Sequence, residues 1–91
     1  MEIALPGQEL IQEGLRDLQA GNETVAALLV AIGAPRLRSL GIELPGNLPK
    51  DPEHRLYALL ADSNSDSAHS RYNALIRRLV SFERAAACVS R

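Results

Sequence analysis

Residues 66–89 read DSAHSRYNALIRRLVSFERAAACV and carry the clearest structural signal in the chain. Their apolar side chains recur at spacings of three and four, which places them along one side of a helix. The members of this apolar stripe are Tyr72, Leu75, Ile76, Leu79, Val80, Phe82, Ala86 and Ala87. The pattern predicts one long amphipathic helix whose stripe packs against a core or a partner.

Four arginines of this stretch, Arg71, Arg77, Arg78 and Arg84, fall outside the stripe and predict a basic outer face. Such a face can be solvated, can dock an acidic protein surface, or can neutralise the phosphates of nucleic acid. The calculated pI near 6.1 and the scarcity of aromatic residues disfavour nucleic acid without excluding it. We therefore predict that these four arginines bind a protein partner.

The composition predicts a small all-α protein. The chain has 91 residues, which suits one domain, and 46% of them are hydrophobic. These are mostly Leu, Ile, Val and Ala, of which Leu and Ala enter helices at little cost. Because caps and stops bound each apolar segment, we expect a single helical domain over residues 1–91, built as a bundle of four to five helices.

Glycines delimit the first two predicted helices, and Gly7 ends the extended start just before the first. Residues 8–20 share one apolar side that includes Gly14, where we expect another backbone to approach closely, and Gly21 ends this helix. Asn22 is the predicted N-cap of a second helix over residues 23–32. Because this second helix is apolar on almost every side, it should lie at the centre of the bundle.

Prolines mark the next connections. Pro35 suits the start of a short third helix that runs through Leu40. Asp51 is the predicted cap of a fourth helix that has Pro52 at its first position. Residues 45–52 contain three prolines and form the predicted hinge loop.

Charge is segregated along a chain whose net charge is −1. Residues 1–34 carry five acids, Glu2 among them, against one arginine, a balance of −4. Residues 68–91 carry five arginines, Arg91 among them, against one acid, a balance of +4. We expect the first and last helices to complement each other within one chain or across a homodimer. The broad apolar side of the last helix favours the homodimer, because so short a chain has few residues to cover it.

Residues 22–42 allow an alternative hypothesis, a DNA-binding regulator. Gly33 could be the turn glycine of a degenerate helix-turn-helix, with Arg36 and Arg38 on its second helix and the basic C-terminal helix beside it. Gly41 would cut that second helix short, which argues against DNA recognition.

No metal site is expected. Residues 62–66 look like the opening of a calcium-binding loop, with side-chain oxygens at alternate positions that could converge on a cation. However, Asn73 stands where such a loop needs a bidentate glutamate. We expect instead that Ser65 or Asp66 caps the last helix.

No cofactor and no catalysis are expected either. His54 and His69 have no partner at the spacing of a catalytic or ligand group. Glu83 falls inside the apolar stripe and should be paired with an arginine or lie at the edge of the core. Cys88 has no second cysteine, and no apolar run is long enough to span a membrane. The sequence thus predicts a non-catalytic, cytoplasmic interaction or regulatory protein.

Overall fold

The computed structural model describes residues 5–46 and 48–89, so Glu2, Asn47 and Arg91 lie outside the described residues. The described chain forms five α-helices and contains no strand. In chain order these are α1 (Gln8–Ala20), α2 (Val25–Ile32), α3 (Ala34–Ser39), α4 (Pro52–Ser63) and α5 (Ala68–Val89). The prediction of an all-α fold with a long C-terminal helix is confirmed.

Helix α1 begins and ends where the glycines predict. Gly7 precedes it with φ 74°, and Gly21 follows it with φ 80°, both in the left-handed region. The Asn22 N–H donates to the Asp17 carbonyl at 2.8 Å, which satisfies one of the last carbonyls of α1. Asn22 therefore helps to close α1, and the prediction that it caps α2 is wrong.

Helix α2 begins two residues later than predicted, because Thr24 is its N-cap. The Thr24 hydroxyl oxygen accepts a hydrogen bond from the Ala27 N–H at 3.2 Å. The same hydroxyl donates to Asp17 Oδ2 at 2.6 Å. One side chain thus starts α2 and ties it to α1.

Helix α2 lies at the centre of the fold, as its all-round apolar character predicts. Residues 26–31 are all buried, and Leu29 and Val30 have no exposed surface. The helix packs against α1, α3, α4 and α5. Every direction around α2 is therefore covered by other parts of the same chain.

Gly14 is the point of closest approach between α1 and α2. A Cβ atom built on Gly14 would lie 2.3 Å from the Ala26 carbonyl oxygen and 2.5 Å from Val30 Cγ2. Both distances are far shorter than any van der Waals contact. The prediction that Gly14 marks a close backbone approach is confirmed.

Helices α3 and α4 differ slightly from the predicted ones. Helix α3 begins at Ala34, one residue before Pro35, and ends at Ser39. Helix α4 begins at Pro52 as predicted, but the Asp51 side chain makes no cap hydrogen bond. Asp51 instead adopts a left-handed backbone conformation, with φ 50°.

The turn before α5 is organised by a residue that the sequence did not single out. Asn64 Oδ1 accepts hydrogen bonds from the N–H groups of Asp66 at 3.0 Å and Ser67 at 3.3 Å. This is a short-range turn of the kind that asparagine favours. Helix α5 consequently begins at Ala68, and the prediction that Ser65 or Asp66 caps it is wrong.

We expect Gly14→Ala to destabilise the protein by about 2–4 kcal/mol, although alanine is intrinsically the better helix former. The added methyl group would collide with the Ala26 carbonyl and force α1 away from α2. Urea unfolding measures the change. Gly46→Ala is the matched control, because a Cβ there meets nothing within 4 Å. Equal stability of the two variants would contradict this account.

Candidate functional site

Helix α5 packs on the bundle with the side that the sequence predicts. Leu79, Phe82 and Ala86 are buried, and the other members of the apolar stripe are half-buried. Within the described residues, the large hydrophobic side chains that are exposed are Tyr57 and Val89, neither of which belongs to the stripe. One chain therefore covers most of the stripe, and little apolar surface is left over for a partner.

The four predicted docking residues, Arg71, Arg77, Arg78 and Arg84, are all exposed on α5. None of them forms an ion pair with another described residue. Across residues 5–46 and 48–89 the one ion pair joins Arg55 of α4 to Glu23, at 2.7 Å. The charge of the α5 arginines is therefore not neutralised by direct pairing inside the described chain.

The arginines form two rows and not the single face that the sequence analysis predicted. Side chains seven residues apart on a helix point within about 20° of each other, whereas adjacent ones diverge by about 100°. Arg71 and Arg78 therefore form one row, and Arg77 and Arg84 form another. We call these the inner row and the outer row respectively.

The inner row borders α1 at Arg78. A Cβ built on Gly7 would lie 3.1 Å from the Arg78 carbonyl oxygen and 3.8 Å from Phe82 Cβ, so the start of α1 touches α5 here. Arg78 lines a surface depression of about 280 Å³ at this junction. Its other lining residues are Leu5, Gly7, Gln8, Glu9 and Gln12.

A second, more apolar depression continues from the first. It has a volume of about 370 Å³ and shares three lining residues with the first. We call it the α1–α5 cleft; its lining residues are Leu5, Gln8, Ile11, Gln12, Leu15, Ile42 and Phe82. The sequence analysis missed this cleft because Ile42 reaches it from the loop after α3, and no local pattern indicates that position.

The acidic side of α1 is also left without cationic partners. Glu9 and Glu13 are exposed, and neither pairs with an arginine in the described part of the chain. Helix α1 packs chiefly on α2, and its contact with α5 lies near Gly7 and Phe82. The ion pairs expected between the first and last helices are therefore not found within one chain over the described residues.

Glu83 lies half-buried at the edge of the core, one of the two positions predicted for it. Its Oε2 atom would be 3.1 Å from a Cβ on Gly33, so the carboxylate rests on the corner between α2 and α3. Burial raises the pKa of this carboxyl, and the nearby Arg36 guanidinium offsets part of the rise. Glu83 and Arg36 nevertheless do not form an ion pair.

Two tyrosines mark the packing of α4 on α5. The ring centroids of Tyr57 and Tyr72 are 5.9 Å apart, with the ring planes inclined at 57°. Burial raises the pKa of the Tyr72 phenol, and the negative charge of Glu53 raises it further. Both effects keep Tyr72 neutral at physiological pH, as a packing residue requires.

The α2–α3 corner differs from a helix-turn-helix in two respects. Only Gly33 separates the helices, whereas a DNA-binding turn has about three to four residues. Helix α3 has six residues, which gives it a length of only about 9 Å. Helix α5 instead packs closely on this corner, since a Cβ on Gly33 would lie 2.8 Å from Leu79 Cδ1. Arg36 and Arg38 are exposed beside this corner.

The residues considered for metal binding or catalysis are dispersed. His54 and His69 are both exposed, and His69 Nε2 lies 3.2 Å from Asn73 Nδ2. In the ranges that the structure describes, no three side chains of His, Cys, Asp or Glu are grouped to hold a metal ion. Cys88 is exposed near the end of α5. No described helix is both long and apolar enough to cross a bilayer.

Comparisons of this chain with protein-family models, with curated proteins and with solved structures gave no match. The arginine rows, the acidic side of α1 and the α1–α5 cleft are therefore the features of the described chain that bear on its function.

We expect Glu83→Gln to stabilise the protein at pH 7 and to have little effect near pH 4. The folded protein binds a proton at Glu83 more tightly than the unfolded chain does, because the pKa is raised above its usual 4.5. The stability cost of the charged form is thus present at neutral pH and disappears as the pH falls through the raised pKa. Since the carboxylate is partly solvated, the gain at pH 7 should be below about 1 kcal/mol.

Urea unfolding at a series of pH values from 4 to 8 measures this difference. Glu43→Gln is the control, because Glu43 is exposed in the loop after α3. If Glu83→Gln lowered the stability at pH 7, the attraction to Arg36 would outweigh the burial of the carboxylate, and our account would be wrong.

Proposed function

We propose that this chain is a small, non-catalytic interaction or regulatory protein that binds an acidic protein surface through the arginines of α5. The observation that carries the proposal is that Arg71, Arg77, Arg78 and Arg84 are exposed and form no ion pair within the described residues. A helix of 22 residues packed on α2 and α4 holds them in a rigid array. Uncompensated charge on a rigid surface favours association with the opposite charge.

A protein partner fits this surface better than DNA does. The chain as a whole is slightly acidic, and the exposed carboxylates of Glu9 and Glu13 on α1 would repel phosphates. A DNA-binding regulator that uses residues 22–42 remains the alternative. It would have to read DNA with a helix of six residues, so Arg36, Arg38 and α5 would act mainly through charge.

The proposal needs no metal and no cofactor. It places the protein in the cytoplasm, in keeping with a sequence whose single cysteine cannot form an internal disulfide.

Reversing the α5 arginines should abolish partner binding. We expect a variant that carries Arg71→Glu, Arg77→Glu, Arg78→Glu and Arg84→Glu to lose a protein that the wild type captures from extract of the source cells. The control reverses the same number of charges elsewhere, with Arg16→Glu, Arg36→Glu, Arg38→Glu and Lys50→Glu. Direct binding of the captured protein, after its purification, is then measured by calorimetry.

Two results would contradict the proposal. If the control lost the partner and the α5 variant kept it, docking would lie elsewhere. Alternatively, the wild type could bind only duplex DNA, with an affinity that falls steeply as salt rises, and both variants could lose this binding. The DNA-binding alternative would then replace the proposal.

We further infer that a second copy of the chain is one such acidic partner. Because the apolar stripe of α5 is largely covered within one chain, a homodimer would have to rest mainly on charge. The exposed acids of α1 and the exposed arginines of α5 supply complementary surfaces on two copies. A dimer that closes both contacts at once, with α1 of each copy against α5 of the other, is two-fold symmetric.

A charge swap tests this homodimer. We expect the wild type to dimerise at low salt, because screening weakens exposed charge pairs as salt rises. A chain with Glu9→Arg and Glu13→Arg, and a chain with the four α5 reversals, should each remain monomeric. Mixing the two should restore association in sedimentation equilibrium. A wild type that stays monomeric at high micromolar concentration would rule the homodimer out and leave binding of other acidic proteins open.

A further inference from the structure

The two arginine rows of α5 have different surroundings, and the difference identifies the kind of partner. The inner row, Arg71 and Arg78, reaches the start of α1 at Arg78, which lines the depression that adjoins the α1–α5 cleft. The outer row, Arg77 and Arg84, adjoins none of the surface depressions described above. Both rows carry the same charge, but only the inner row has an apolar depression close to it.

The cleft supplies that apolar contact. Ile11 and Phe82 form its floor and are almost fully buried, while Leu5, Leu15 and Ile42 are half-buried around it. The half-buried side chains still expose apolar surface that a ligand could cover. A volume of about 370 Å³ can admit a bulky aliphatic or aromatic side chain.

The spacing along α5 indicates the shape of the ligand. Arg71 and Arg78 are seven residues apart, which is about 10.5 Å along a helix. Phe82, in the cleft floor, follows Arg78 by one turn. A helix lying along α5 would present two acids seven residues apart and an apolar residue one turn beyond, all on one side.

We propose that the inner row and the α1–α5 cleft together bind an amphipathic helix of a partner protein. Carboxylates of that helix meet Arg71 and Arg78, and an apolar side chain enters the cleft between Leu15, Ile42 and Phe82. This inference rests on the proposed function and names the chemistry of its partner. The outer row contributes only long-range attraction.

Glu9 makes it possible to test whether the bound helix is acidic. It lines the same depression as Arg78, yet the two residues form no ion pair. A carboxylate at that position repels the acids of an incoming helix. Removing the charge of Glu9 should therefore strengthen binding. Partial unfolding of the variant would weaken binding and could not produce this result.

A designed peptide tests the proposal. The probe is a helical peptide of about 18 residues, rich in alanine and glutamine, with two glutamates seven residues apart and leucine one turn beyond. NMR titration of the isotope-labelled protein, up to about 1 mM peptide, gives both the affinity and the residues that respond. We expect the responding amides to be those of the inner row and the cleft. A peptide in which leucine is replaced by alanine should bind more weakly.

Pairs of variants with equal charge or equal size separate specific binding from general attraction. Arg71→Glu with Arg78→Glu should weaken binding at least about fivefold more than Arg77→Glu with Arg84→Glu. Gln12→Trp should block the cleft, whereas Gln19→Trp, two turns along the same side of α1 and outside the cleft, should not. Glu9→Gln should tighten binding. Circular dichroism spectra check that each variant remains helical.

The outcomes distinguish this inference from the proposed function. Equal loss from the two arginine pairs, or equal effects of the two tryptophans, would overturn the inference and leave general docking on α5 intact. No loss from either arginine pair would overturn both. Failure of the wild type to bind the probe would overturn the helix as ligand. Self-association that is lost with the inner row alone would assign the cleft to a second copy of this chain.

Discussion

Helix α2 has no polar side chain, so every direction around it must be covered by another part of the chain. In a protein of 91 residues this is a severe demand, because few residues are available to form the cover. Part of the cover comes from α1, which approaches α2 so closely at Gly14 that even a methyl group would collide with the Ala26 carbonyl. Helices α3, α4 and α5 pack on the sides of α2 that α1 does not cover.

The packing of α1, α4 and α5 around α2 also determines where the charged side chains can lie. The apolar residues of α5 are used on α2 and α4, so its arginines are turned outward into two rows. The acids of α1 are likewise turned outward, because its apolar side and Gly14 face α2. The two charged surfaces meet only where Glu9 and Arg78 line one depression, and they form no ion pair there, so each takes its counter-charge from solvent ions or from another molecule.

The fold could be predicted from the sequence where local signals do not compete. Gly7 and Gly21 leave little choice for the ends of α1, and the long apolar run of α2 has no alternative place than the centre. Prediction failed where neighbouring residues could do the same task. Asn22 and Thr24 both suit an N-cap. The Asn22 N–H closes α1, while Thr24 starts α2 with a hydroxyl that also bonds Asp17 of α1, an arrangement that requires the two helices to be packed.

The arginines of the candidate site and their rows could be predicted from the sequence, whereas the apolar cleft beside them could not. The four arginines are plain in the sequence, and their seven-residue spacings are by themselves enough to divide them into two rows. The α1–α5 cleft could not be found in this way, because its residues come from α1, α5 and the loop after α3. The attraction between exposed charges is weakened by salt, and at long range it depends little on the detailed shape of the ligand. The apolar cleft beside Arg78 is the feature that could turn general attraction into recognition, because only a ligand with the right side chain at the right distance from its acids can use both.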